Sequence, residues 1–247
     1  MAADEVLLEF VSQSSSSPST FLRFYQWKQP TLSLGFSQKA KRVVNFEFCR
    51  SRGIQIVRRP TGGKAVLHDQ ELTYAVVSND SNYFPIHDIS GTYRLIAEAL
   101  SSGLNRMGIQ TVLAGPPTHR VSTSHHAFPL FACFALANHH EILWKNRKLI
   151  GSAQKRTRQG FLQHGSILIG FDPEQLAGAL GVPQLAEIES EVATLRTCLG
   201  YKPLVSEVLP HFVQGFSVRF GVSIEKSMLD EQLTKEIEER ALTRERP

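Results

Sequence analysis

The stretch Arg58-Arg59-Pro60-Thr61-Gly62-Gly63-Lys64-Ala65-Val66-Leu67-His68-Asp69 decides how the rest of the chain is read. A strand-like run, Ile54-Gln55-Ile56-Val57, ends in two arginines, then gives way to a proline, a glycine pair, a lysine, a second apolar run and a His-Asp pair. Two glycines let the backbone approach a bound group closely, because no Cβ stands in the way. Arginine adds fixed donors for a carboxylate, phosphate or carbonyl at the same place. The same residues also suit a tight hairpin whose glycines serve the turn and whose charges are solvated. Short Gly-Gly-Lys segments recur in unrelated proteins, so the flanking sequence has to decide.

On the N-terminal side, residues 1–11 predict a helix with Val6, Leu7, Phe10 and Val11 on one side. A Ser-rich loop from Ser12 to Thr20 follows, then strands at Phe21–Tyr25 and Pro30–Phe36. Lys41–Arg52 predicts an amphipathic helix stopped by Gly53, with Cys49 as a small core residue. On the C-terminal side, Leu72–Val77 is an apolar strand. Asp88–Met107 is a long helix with Leu95, Ile96, Ala99, Leu100 and Leu104 at helical spacing. Residues 114–132 lack periodicity and form a long loop, of the kind that is functional or mobile, leading to Cys133. Glu141–Trp144 and Lys148–Ile150 flank Lys145-Asn146-Arg147 as a hairpin, and Phe161–Ile169 is a strand containing His164-Gly165-Ser166. Helical segments at 173–181, 183–190, 205–219 and 228–243 complete the chain, the last mostly a solvated face held by mixed charges. The mixture predicts an α/β or α+β fold with one sheet covered by helices.

Composition narrows the function classes. With 247 residues, 42% of them hydrophobic and 20% charged, the chain makes an ordinary globular core without disulfide staples. Cys49, Cys133 and Cys198 are odd in number and widely spaced, which offers neither a secreted framework nor a metal knuckle and suits a reduced cytosol. No apolar run approaches bilayer length, and acids at Asp4 and Glu5 stand where a signal peptide would be basic, so a cytoplasmic location without a membrane partner is expected. A net charge of +4 favours steering of an acidic partner. A nucleic acid would answer to that charge, though the basic residues form no long block and no nucleic-acid motif; an acidic carrier protein would be steered equally well.

Cys133, in Phe131-Ala132-Cys133-Phe134, reads either as an inert buried thiol or as a nucleophile. Lys148, one hairpin away, favours the second reading, since a nearby ammonium stabilises a thiolate; its own alternative is an exposed turn lysine like Lys145. The pairs His125-His126 and His139-His140 do not make a metal site, because adjacent residues in extended chain point to opposite faces and no HxxxH spacing occurs. His68 and His164 either donate to a substrate carbonyl or are satisfied core histidines. No P-loop, dinucleotide fingerprint or nucleophile elbow is present.

Taken in order, MAADEVLL (1–8), QWKQPTLSLGFSQ (26–38), RRPTGGKAVLHDQELTY (58–74), NRKLIGSAQKR (146–156) and GFLQHGSILI (160–169) resemble the superfamily of lipoate–protein ligases, octanoyltransferases and biotin–protein ligases. The resemblance implies a central mixed sheet flanked by helices, related to the catalytic domain of class II tRNA synthetases. It implies a catalytic domain over residues 1–200 and a C-terminal helical portion, 201–247, packed on it. Lys148 fits both chemistries of the group. Glu71-Leu72-Thr73-Tyr74 and Ala132-Cys133-Phe134, with the interval from Cys133 to Lys148, resemble the cysteine-dependent octanoyltransferases that modify the glycine-cleavage H protein. The implied reaction carries octanoyl from acyl carrier protein, through a thioester on Cys133, to a lipoyl-domain lysine, with no cofactor and with the protein acting as a monomer. Arg59, Thr61, Gly62, Gly63, Lys64, Val66 and His68 would hold substrate, as would Gly151, Ser152, Ala153, His164 and Gly165, with Val66 and Leu67 lining a tail tunnel. An ATP-dependent lipoate–protein ligase and a non-catalytic lipoyl- or carrier-binding module are the alternatives. Lys64 departs from the glycine or arginine common in relatives, and the chain begins at the helix without the strand that usually precedes it there.

Overall fold

The computed structural model describes residues 1–13, 17–115, 141–182 and 189–243. Its centre is β5 (Glu71–Ser78), every residue of which is buried. Leu72, Tyr74 and Val76 pack into the core cluster of α4 (Ile89–Arg106) and α7 (Val205–Phe220), whereas Ala75 and Val77 pack with α1 (Ala2–Gln13) and Leu233 of α8 (Glu231–Thr243). A strand covered on both faces reads as a continuous apolar run, which is how Leu72–Val77 reads in the sequence.

Six strands pair antiparallel around it in the order β1 (Thr20–Tyr25), β5, β9 (Phe161–Leu168), β8 (Arg147–Arg156), β7 (Ile142–Trp144), β6 (Val112–Leu113). A second sheet holds β2 (Thr31–Leu34) between β3 (Gln55–Arg58), parallel to it, and β4 (Val66–His68), antiparallel. The mixed α/β class stands. Among named strands parallel pairing is confined to the small sheet, so the large one is antiparallel rather than mixed.

Local chemistry accounts for the element ends. Asp88 caps α4 by accepting from the Gly91 amide at 3.0 Å, and Gly108, at φ +77°, turns the chain beyond its end. The single helix expected over Lys41–Arg52 is two, α2 (Ala40–Val43) and α3 (Phe46–Ser51), because Asn45 leaves helical geometry to cap the second. Its side chain accepts from Phe48 N while its own amide donates to Ala179 O, ahead of the end of α5 (Pro173–Leu180) at Gly181. The β7–β8 turn has positive φ at Lys145 (48°) and Asn146 (62°), the geometry of a two-residue hairpin, so Arg147 belongs to the strand. β8 runs on to Arg156, well past the expected Ile150. A short helix, α6 (Leu195–Leu199), follows unannounced. α8 is less solvent-bound than its charges suggest, since it buries Leu233 and its Arg240 makes two 2.7 Å bonds to Glu9 on α1.

α4 and α7 cross where neither can carry a side chain. A Cβ on Gly215 would lie 2.4 Å from Ala99 O and 2.6 Å from Gly103 N, both backbone atoms. Gly215→Val therefore forces the helices apart and is expected to cost about 2 kcal/mol. Thermal unfolding should register this as a fall in Tm of about 4–8 °C, given the chain's size.

Candidate active site

Where the small sheet meets β5, β8 and β9, a cavity with about 30 Å³ of room is lined by Ser33, Arg59, Val66, His68, Thr73, Gly151, Ser152, Ala153, His164, Gly165, Ser166 and Met1. Eight expected substrate-binding residues thus converge: Arg59, Val66, His68, Gly151, Ser152, Ala153, His164 and Gly165. Thr61, Gly62, Gly63, Lys64 and Lys148 are not among the lining residues, and neither is Leu67, because side chains alternate along β4 and only Val66 and His68 face inward. The room is about that of one water molecule, so the described residues do not form a ready tunnel for an eight-carbon tail. A larger cavity of about 700 Å³ lies beside β1, α7 and residues 222–230, and none of the expected site residues lines it.

Arg59 is buried and holds the glycine loop rather than reaching outward. Its Nη1 donates to Ser33 O (3.0 Å) and Ser33 Oγ (3.1 Å), its Nε to Gly62 O (3.2 Å), and its Nη2 to Gly62 O (2.9 Å) and Lys64 O. The loop lies close on β2: a Cβ on Gly35 would stand 2.0 Å from Gly63 O, and Gly63 itself has φ +90°. Lys64 and the two glycines therefore act at this level as the loop Arg59 grips.

Both histidines are built into polar chains. His68 Nδ1 and Nε2 lie 2.7 Å from Glu71 Oε1 and Ser33 Oγ, and its ring stacks on Trp27 at 4.4 Å. Glu71 is buried and also accepts from the Thr73 and Ser166 hydroxyls. His164 Nε2 lies 2.7 Å from Thr61 Oγ1, and its Nδ1 stands 3.5 Å from Asp4 Oδ2. That separation is long for a hydrogen bond, so the attraction between His164 and Asp4 is mainly electrostatic. Burial lowers the His164 pKa, against the pull of Asp4. Asp4 also pairs with Arg23 and accepts from Tyr25 OH at 3.1 Å. Burial alone would raise the Asp4 pKa; His164, the Met1 amino group and Arg23 together outweigh it and hold the carboxyl far below its ordinary range.

Lys148 points inward, 3% exposed, and is ion-paired with the equally buried Glu141. Lys145 takes the exposed place, over the Trp144 ring at 4.5 Å. The Lys148 backbone bridges to Val192, and Lys148 O accepts from Ala193 N at 2.9 Å, so the residue is clamped at both ends. Cys133 lies outside the described residues, as do His125, His126, His139 and His140. Burial raises the other two thiols, Cys49 and Cys198, the latter to about 11, which makes them poor nucleophiles. Among the described residues no group of three or more His, Cys, Asp or Glu converges as a metal site.

The model of the lipoyl protein ligase A/B catalytic domain matches residues 1–217. The chain belongs to that family. It is 36% identical to octanoyltransferase LipM of Kyrpidia tusciae over 93% of this chain and 85% of that protein. It is 35% identical to octanoyltransferase LipM of Carboxydothermus hydrogenoformans over 99% of this chain and 88% of that protein. The bipartite lipoate protein ligase of Thermoplasma acidophilum shares the fold, with a TM-score of 0.76 at 22% identity over 96% of this chain and 84% of that one. The chain is an enzyme of the acyltransferase class, as its relatives are. No described helix is long and apolar enough to cross a membrane.

Three carboxylates escaped the sequence reading as site residues. Glu71 carried a weak signal in the histidine three residues before it, and Glu141 in the His139-His140 pair it follows, with which it reads as a candidate metal group; Asp4 carried none. Of these, Asp4 has a pH signature. Its folded pKa is depressed, so its stabilising contribution is full above about pH 4 and is lost as pH falls below that value. Asp4→Asn should destabilise the protein by about 3–5 kcal/mol at pH 7, because it leaves Arg23 and His164 without their buried partner. Urea unfolding from pH 7 to pH 2 should show a flatter acid limb in the variant than in the wild type.

Proposed function

We propose that this acyltransferase takes an octanoyl group from acyl carrier protein onto Cys133 and passes it to the lysine of a lipoyl-domain protein, with glycine-cleavage H protein as the first acceptor to try. The observation that carries the reading is the likeness to octanoyltransferase LipM at 36% and 35% identity over at least 93% of this chain. The sites support it in three ways. Lys148 is a buried cation, the partner a thiolate needs. Burial raises the thiol pKa values of Cys49 and Cys198, which disfavours either of them as the nucleophile. Gly151 and Gly165 line the cavity on neighbouring strands, where a backbone can approach an acyl group.

In the first step the Cys133 thiolate attacks the carrier thioester; a carbon–sulfur bond forms, another breaks, and the carrier leaves as thiolate. One thioester replaces another, so no nucleotide is required. In the second step the acceptor lysine, as free amine, attacks the acyl-Cys133 carbonyl. The amide C–N bond forms, the acyl C–S bond breaks, and one of the two amine protons passes to the departing sulfur, which releases Cys133 as the thiol. Exchange of thioester for amide drives the cycle. Lys148 stabilises the anionic sulfur in both steps. The remaining parts of the reading are a cytoplasmic monomer with no resident cofactor, no nucleic-acid partner, and residues 201–247 packed on a catalytic domain over 1–200.

Octanoyl-acyl carrier protein and apo-H protein, mixed with the enzyme in the absence of ATP, should yield octanoylated H protein. Cys133→Ala should abolish both product and the covalent acyl adduct seen by intact mass, and Lys148→Ala should slow turnover by about a hundredfold or more. Activity that needs ATP and free octanoate, and survives Cys133→Ala, would instead identify a ligase. Carrier binding with no adduct would identify a binding module.

A further inference from the structure

Charge is spread unevenly along the chain, and the fold gathers the basic part around the cavity. Residues 10–68 hold ten Lys and Arg against a single acid, Glu47, and residues 142–171 hold six against none. The whole chain carries only +4, so the remainder is net negative. The two basic segments contain the small sheet, α2, α3, β8 and β9, which between them supply most of the cavity wall. Arg59 and Lys148 lie inside, but Lys39, Lys41, Arg42 and Lys155 are exposed.

Surface cations elsewhere are matched by acids: Arg94 and Arg219 pair with Glu98, Lys235 with Glu239, and Arg240 with Glu9. Lys39, Lys41, Arg42 and Lys155 join no ion pair among the described residues. Like charges left together repel one another, and an oppositely charged partner relieves that repulsion. Among them stands Phe36, 66% exposed, with Lys155 Nζ 5.9 Å from its ring centre. The turn that presents this ring is held from beneath. The Phe36 amide donates to Thr61 O at 2.9 Å, and Arg58 Nη1 lies within 3.0 Å of the Gly35, Phe36 and Gln38 carbonyls. A fixed, exposed aromatic beside unmatched cations is what a protein-binding patch needs, since the ring anchors and the charges steer.

The patch lies beside the cavity and not in it. Phe36 comes three residues after Ser33 and Lys155 two after Ala153, both cavity-lining, yet none of Phe36, Lys39, Lys41, Arg42 or Lys155 lines it. A partner docked there reaches the cavity only by an extension of its own. An acyl carrier has one, a long flexible arm joined through a phosphodiester; an acceptor lysine is short by comparison and has to come to the mouth itself. We propose that Phe36, Lys39, Lys41, Arg42 and Lys155 form the docking surface for an acidic acyl carrier protein, whose acidic face meets these cations while its arm enters the cavity. The assignment rests on a carrier being the acyl donor, but binding tests it without turnover.

Fluorescence anisotropy of dye-labelled holo-acyl carrier protein should show saturable binding to the wild type that weakens as salt rises from about 50 to about 300 mM. Lys39→Glu/Lys41→Glu should weaken that binding about tenfold or more and flatten its salt dependence. Lys226→Glu/Lys235→Glu, an equal change of charge in the C-terminal part of the chain, should alter it by less than about twofold. Equal losses in the two double variants would mean that net charge alone steers the carrier, which overturns the proposal, as does wild-type binding that ignores salt. Weakened binding of apo-H protein with carrier binding intact gives the patch to the acceptor and overturns it as well. Octanoyl-pantetheine brings the arm without the carrier, so Lys39→Glu/Lys41→Glu should form acyl-enzyme from it at the wild-type rate. A matching loss with that small donor would place the two lysines in the chemistry and not in docking. Carrier binding as expected, with no adduct from either donor, would count against the proposed reaction alone.

Discussion

The antiparallel register of β5, β9 and β8 is the constraint on which the site depends. It sets His164 opposite Ala75 and Ala153, Gly165 opposite Tyr74 and Ser152, and Ser166 opposite Thr73 and Gly151. A slip of one residue would turn every side chain to the other face. The glycines pin it: a Cβ on Gly165 would stand 2.4 Å from Gly151 O and 2.6 Å from the Tyr74 ring. The cavity is thus mainly a property of strand pairing, with only Arg59 and Met1 contributed from outside the strands.

Around that frame the molecule buries an unusual share of charge: Asp4, Arg59, Glu71, Glu141 and Lys148 are all nearly inaccessible. Buried charge is tolerated only when paired and hydrogen-bonded. Here each has its partners, and the partners join elements distant in sequence. Asp4 on α1 reaches Arg23 on β1 and His164 on β9, while Glu71 gathers His68, Thr73 and Ser166 from β4, β5 and β9. The polar groups that shape the cavity therefore also fix how the two sheets and the first helix meet.

Much of this was legible beforehand, for physical reasons. α4 was readable because Asp88 caps it and its apolar residues keep helical spacing, β5 because its burial on both faces leaves a largely apolar run over Leu72–Val77, and β9 because apolar pairs, Phe161-Leu162 and Ile167-Leu168, bound its polar centre. The break at Asn45 was hidden because an N-cap residue inside an otherwise periodic run leaves the pattern intact. β8 was cut short because Gly151, Ser152 and Gln154 carry no apolar alternation, and they carry none because that part of the strand faces the cavity and its polar chain. The site histidines announced themselves by residue type. Their carboxylate partners did not, since a buried acid and a solvated one are the same letter until the fold brings the donors.

Gly62 differs from its neighbour. Gly63 needs its glycine for a positive φ, but at Gly62 a Cβ would meet no described atom within 4 Å, and the residue is exposed. The loop at that point is held through its carbonyl, by Arg59, and not through its α-carbon. Position 62 is therefore a natural attachment point: a cysteine introduced there would carry a fluorophore beside the arginine-held loop without disturbing the chain, giving a direct optical readout of events at the rim.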